Sequence, residues 1–264
     1  MEFRISPRKA QGLTMTYQAA ESIKQNVRQF DRDVLAGGSY LYTAERLSAQ
    51  TANARLSRSV AEAFDFRGKR VLDVGCGDGA YTVEFPALGV RSVLGIDPAA
   101  VAVEAAAVRS QLMKVDGIAR FSVGNIYALN ELLAAEDFDC IVIRGVLHHL
   151  PNAERAIAAL AGYKGTLIIV EPNGNNPVLK LLERYSSYHV EHEEQSFAPR
   201  LIRCWLKAAG FTQVQTKMVN LVPFFCPDWM VRPLELIERL VERLPVIRAF
   251  SCGQSVIVAK KPNA

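Results

Sequence analysis

Asp73 stands just ahead of three alternating glycines, Gly75, Gly77 and Gly79, in the stretch VLDVGCGDGAYT (residues 71–82). A second acid, Asp97, follows about 20 residues later, the spacing at which a carboxylate meets ribose hydroxyls in open α/β sheets. Glycines after a strand let the backbone turn sharply and approach a ligand without side-chain obstruction. A dinucleotide site calls for G-x-G-x-x-G, with the pyrophosphate on the next helix N-terminus; here position 80 is Ala80. An acid before the first glycine repels a pyrophosphate and attracts a cationic ligand. Pro98 starts the next helix without losing a needed N–H. Asn125, at a third strand end, carries an amide that both donates and accepts, as an adenine edge requires. Together these residues predict a nucleoside-like ligand.

Candidates for proton transfer are few. The four histidines fall in two groups, His148 with His149 and His189 with His192. The first pair follows a predicted fourth strand, at the rim where chemistry is expected. An imidazole there suits deprotonation because its ordinary pKa lies near neutrality. His149 is taken ahead of His148, with a purely structural pair as the alternative. Glu171 ends a fifth predicted strand and also faces the ligand edge, or anchors the turn of Pro, Asn and Gly around it. His189, Glu191 and His192 suggest a metal cluster, but their spacing does not place all three on one helical face. A polar substrate rim is expected there, and no metal.

These residues need a scaffold. Strand-like runs fall at 70–74, 92–97, 119–124, 138–144 and 165–171, with helical stretches between them, notably 98–113 and 151–162. Near-continuous apolar strands alternating with helices predict a parallel sheet covered on both faces. A helix at about 198–209 and strands at 211–219 and 255–261 follow. Residues 14–64 read as mostly helical, broken at Gly37 and Gly38, so residues 1–65 are expected to form an N-terminal cap over a domain of residues 66–264. Between the last two strands lies an insertion at about 220–252. There Leu234, Ile237, Leu240, Val241 and Leu244 share one helical face, and Glu235, Glu238, Arg239, Glu242 and Arg243 the other. Acids on the polar face argue against a membrane-surface helix, so the apolar face is expected to pack on its own domain or on a second copy in a homo-oligomer.

Half of the 264 residues are hydrophobic, 22% are charged and the net charge is +4, the composition of an ordinary globular chain. Basic residues are scattered and form no nucleic-acid arm. The five cysteines form no CxxC pair, which argues against a disulfide framework or zinc site and for a reduced, cytoplasmic setting. No apolar run reaches the length of a membrane span.

Four stretches, VLDVGCGDGAYT, VLGIDPAA (93–100), FSVGNIYAL (121–129) and FDCIVIRGVLHHLPN (138–152), resemble in order and spacing the motif series of class I S-adenosylmethionine-dependent methyltransferases. GTLIIVEPNG (165–174) is similar to the strand and turn that follow in that family, and the likeness covers roughly residues 66 to 260. It implies a doubly wound α/β fold with a seven-stranded, mostly parallel sheet and an antiparallel last strand. It also implies S-adenosylmethionine as cofactor. In that reading Asp73, Gly75, Cys76 and Gly77 line the methionine part, Asp97 binds the ribose and Pro98 lies near the adenine. Asn125 replaces the aspartate that the family often sets against the adenine amino group, and Ile126 presses on the adenine face. Arg144, uncommon at its position, reaches the cofactor carboxylate or the substrate. Tyr42 or Arg46, from a lid of preceding helices, touches the carboxylate.

The function expected is methyl transfer to oxygen, nitrogen or carbon of a small-molecule acceptor, with no nucleic-acid partner. RNA methylation is the alternative, as is a cofactor-binding module without catalysis. A dehydrogenase is disfavoured by the glycine spacing.

Overall fold

The computed structural model describes residues 46–185 and 195–262. Tyr42, most of the expected cap, and His189, Glu191 and His192 lie outside the described residues. Seven strands are formed: β1 (Arg70–Val74), β2 (Ser92–Asp97), β3 (Ala119–Val123), β4 (Cys140–Arg144), β5 (Thr166–Pro172), β6 (Gln213–Val219) and β7 (Gln254–Lys260). They make one sheet in the order β3-β2-β1-β4-β5-β7-β6. The first five pair in parallel, and β7 runs antiparallel to both β5 and β6. The doubly wound, mostly parallel sheet with an antiparallel last strand is therefore as expected.

Strand residues alternate between two faces, and both faces are buried. Leu72, Val74, Ile141, Ile143, Leu167 and Ile169 enter one core, whereas Val71, Val93, Val142, Ile168 and Val170 enter the other. This double burial is why the strands read as unbroken apolar runs. The helices that cover them are α1 (Leu47–Ala63), α2 (Ala100–Leu112), α3 (Leu129–Ala135), α4 (Ala153–Ala158), α5 (Pro177–Tyr185), α6 (Pro199–Ala208), α7 (Asp228–Arg243) and α8 (Pro245–Ser251). Ile157 of α4 and Ile202 of α6 fill the first core. Leu56 and Val60 of α1, the described part of the expected cap, share the second core with the sheet.

The insertion helix packs only part of its apolar face on its own domain, with Leu234 against Val222, Cys226 and Val231. In α7 the carboxylates of Glu238 and Glu242 are buried, while Leu236, Ile237, Leu240 and Leu244 are exposed. The reason lies in the groups beneath the helix. Past the end of β6, the N–H of Asn220 donates to Glu242 Oε1 (3.2 Å) and that of Leu221 to Glu238 Oε1 (2.8 Å). Arg55 of α1 also donates to Glu242 (Nε–Oε1, 3.0 Å) and pairs with Glu238 at 3.3 Å. A largely buried guanidinium and two main-chain amides beneath the helix need acceptors more than the helix needs to bury leucines. The helix ends at Arg243 because Pro245 forces Leu244 into an extended conformation (φ −90°, ψ 105°) and then opens α8.

Candidate active site

The glycine turn is held against the end of β2. The N–H groups of Gly75 and Cys76 both donate to the Ile96 carbonyl, at 2.7 and 3.1 Å. Beyond it, the Asp97 carboxylate accepts from Gly77 N–H and from Ala99 N–H, each at 2.9 Å. Asp97 is thus oriented at the carboxyl edge of the sheet, half-buried beside the half-buried Gly75 and Gly77. Two of the glycines serve packing within the chain. A Cβ on Gly75 (φ +76°) would collide with Val146 Cγ2, and one on Gly79 (φ +75°) would lie 2.8 Å from Ala106 Cβ. The loop after β4 and the body of α2 therefore seat directly on the turn. Asp78 locks that arrangement, since Arg109 of α2 bonds its carboxylate at 2.6 Å.

Asp73, expected to meet a cationic ligand, is buried and accepts from Thr82 Oγ1 at 2.6 Å. Burial pushes its pKa up to about 6, against the opposing pull of the Thr82 bond and the Arg144 charge. The Cys76 side chain is buried toward Gly95, with its thiol pKa pushed up by burial. Pro98 and Asn125 are exposed at neighbouring strand ends. Asn125 Oδ1 accepts from Tyr127 N–H at 3.0 Å, capping the turn Ile126–Ala128. Ile126 is buried in the first core. Arg46 is exposed at the head of α1.

Arg144 closes β4 and reaches α1. Its guanidinium lies 3.4 Å over the Tyr81 ring centroid, and it bonds Ser57 Oγ (3.0 Å) and Asn53 Oδ1 (3.2 Å). Tyr81 donates to the same Asn53 oxygen at 2.7 Å. Burial pulls the Arg144 pKa below its ordinary value, while Tyr81, Glu84 and Asp73 hold it up. The cation, the ring and α1 form one unit beside the glycine turn. The roles of Tyr81, Asn53 and Ser57 were missed in the sequence, where only the unusual arginine gave a signal.

The histidine pair is asymmetric. His148 Nδ1 lies 2.8 Å from Glu171 Oε2, while Glu171 Oε1 accepts from Val146 and Leu147 N–H at 2.8 and 2.7 Å. Glu171 is buried and thereby anchors the loop after β4. The His149 ring lies against that of His148, with centroids 3.9 Å apart and planes tilted by 42°.

A family model described as a methyltransferase domain matches residues 48–216, more than half of the chain and the whole stretch from Asn53 to Glu171 just described. The chain belongs to the methyltransferase domain family. The cofactor expected from the sequence, S-adenosylmethionine, stands with that membership, and the donor set fits its adenosyl part: an oriented carboxylate, a half-buried glycine backbone and an exposed amide along one sheet edge. Among similar proteins, this methyltransferase is 30% identical over 167 residues to a tRNA U34 carboxymethyltransferase of Pseudomonas savastanoi pv. phaseolicola, covering 59% of this chain and 49% of that one. It is 32% identical over 112 residues to a ubiquinone biosynthesis O-methyltransferase of Neisseria meningitidis, covering 42% and 43%. The chain thus spans about half the length of the tRNA-directed relative. Among solved structures, the [4+2]-cyclase SpnF superposes with TM-score 0.64 at 20% identity, over 92% of this chain and 94% of that one. Magnesium protoporphyrin IX methyltransferase of Synechocystis PCC 6803 superposes with TM-score 0.60 at 17% identity, over 89% and 95%. At such identities the likeness is one of fold, and a fold hosts more than one chemistry.

Proposed function

We propose that this methyltransferase passes a methyl group from S-adenosylmethionine to an oxygen, nitrogen or carbon of a small organic acceptor. The observation that carries the reading is Asp97, held by Gly77 and Ala99 N–H at the mouth of the glycine turn. An acceptor-only carboxylate there suits a pair of ribose hydroxyls. Gly75 and Gly77 line the methionine side through their backbone. Asn125 spends its oxygen on the Tyr127 cap, so its amide N–H₂ is the part that meets the adenine ring.

When bound, the sulfonium supplies a methyl group already attached to a good leaving group. The chain's task is then alignment and exclusion of water. For an acceptor that arrives protonated, the histidine pair supplies the base: His148 is buried with its Nδ1 engaged by Glu171, and His149 is half-buried beside it. Arg144 acts as a positioning residue, tying α1 and Tyr81 to the end of β4.

An RNA acceptor is the second reading, favoured by the relative named for tRNA. Incubation with methyl-tritiated S-adenosylmethionine and fractionated extract separates the two. Label in small organic products is the expected result. Label confined to RNA overturns the small-molecule acceptor, and cofactor binding without any label transfer overturns catalysis.

A further inference from the structure

The insertion is inside out for a surface helix. Glu238 and Glu242 are buried on Arg55, and the insertion's large apolar residues face outward: Leu236 is 84% exposed, Trp229 76% and Val246 72%. Trp229, Leu236 and Leu240 lie on one stripe of α7 by helical spacing. The stripe continues through Leu244, which joins α7 to α8, into the exposed Ile247 and Phe250. α5 adds exposed Val178 and Leu181 and, like α8, buries no residue. α5 and α8 are tied together, because Asn176 at the head of α5 donates to the Ser251 carbonyl at 3.3 Å and Asn173 to that of Ala249 at 2.9 Å. All three helices rise from the carboxyl edge of the sheet. β6 ends at Val219 opposite Gln254, and Gln254 also faces Pro172 at the end of β5.

Charge decides what such a face fits. With Glu238 and Glu242 turned inward, the exposed charges of α7 are Asp228, Arg232, Glu235, Arg239 and Arg243, and Glu235 is bonded to Arg232 at 2.9 Å. Beside the apolar stripe, a groove of about 840 Å³ between α1 and α7 is lined by Arg58, Arg239, Arg243 and Arg248. The carboxylates in that groove pair with other cations: Glu238 and Glu242 with Arg55, Glu62 with Lys217 and Glu235 with Arg232. An apolar stripe carrying tryptophan, edged by arginines, matches an anionic lipid surface, where aromatic rings lie at headgroup depth and arginines meet phosphates. A second copy fits less well, because it carries the same excess of arginines on this face and so offers no complementary charge.

We propose that the α5–α7–α8 face docks on an anionic phospholipid bilayer, holding the carboxyl edge of the sheet toward the membrane. The proposal rests on the methyltransferase reading only in its consequence: an acceptor dissolved in the bilayer would be presented to the edge that carries Asp97.

The test is co-sedimentation of the full chain with two kinds of vesicle, pure phosphatidylcholine and an equal mixture of phosphatidylcholine with phosphatidylglycerol. Binding is expected to the mixed vesicles and to weaken with added salt. The double variant Leu236→Ser with Leu240→Ser should bind them at least about tenfold more weakly, given the apolar area two leucines bury. Arg239→Glu with Arg243→Glu should reduce binding to the level of pure phosphatidylcholine. These positions are exposed, so circular dichroism and calorimetric binding of S-adenosylmethionine should not change; loss of that binding in the wild type would instead count against the methyltransferase reading. Equal binding to both vesicles, or none to either, overturns the proposal. So does a dimer in sedimentation velocity that the leucine variant dissociates, since the face would then join two copies.

Discussion

Asp97 is the residue on which the cofactor reading turns, and its two main-chain donors make the consequence of removing it specific. In Asp97→Ala, Gly77 N–H and Ala99 N–H lose their acceptor and the ribose loses its partner. We expect S-adenosylmethionine affinity to fall by about 1–3 kcal/mol, the cost of stranding polar groups, measured by isothermal titration. Unchanged affinity would remove the ribose role. Asp73 makes a different, pH-dependent prediction. Burial raises its pKa from 3.8 to about 6 in the folded chain, so between those values the native state holds a proton that the unfolded state has released. Stability from this group therefore falls as pH rises through that window and stays lowered above it. Asp73→Asn, which can still accept from Thr82, should lack the decline, so its advantage over wild type in urea unfolding should grow from pH 3.8 to about 6. Parallel pH profiles would refute it. At this scale the sequence revealed the acids through their spacing from the glycines. It did not reveal that Glu171 grips His148, or that Arg144 joins Ser57 and Asn53, because those partners lie 23, 87 and 91 residues apart.

Among the elements, the insertion helix separates pattern from placement. Its amphipathic spacing is plain in the sequence, and the helix forms. The orientation follows instead from Arg55, in a helix far away in the chain, and from two amides at the end of β6. Burial pushes the Glu238 pKa up, partly countered by Leu221 N–H and the Arg55 charge. Arg55→Ala leaves two buried carboxylates without their cation, and we expect a loss of about 3–5 kcal/mol in urea unfolding. A loss below about 1 kcal/mol, the scale of a surface pair, would mean that α7 is held by other contacts. The glycine turn carries a similar lesson. Its alternating glycines are a legible ligand signal, yet Gly75 and Gly79 are also required by Val146 and Ala106, which press on the turn from outside it.

Over the whole molecule, the parallel strands, the glycine turn, the histidine loop and the insertion converge on one edge of the sheet. Binding there should stabilise the fold as a unit. Free S-adenosylmethionine at a hundredfold excess over its Kd should add about 2.7 kcal/mol, seen as a rise in Tm, whereas NAD should produce none. A rise with NAD alone would reverse the assignment. The sequence by itself determined the order of strands and helices, the doubly wound class and the glycine turn at the carboxyl edge of the sheet. Apolar runs, glycines and prolines act over a few residues, and a parallel sheet buried on both sides leaves an unambiguous imprint. Only the tertiary structure decided which histidine is held, that the Asp73 carboxylate turns inward, and which face of α7 meets solvent. Each of those outcomes is a competition for buried hydrogen-bond partners among residues distant in the chain, and periodicity carries no information about such partners.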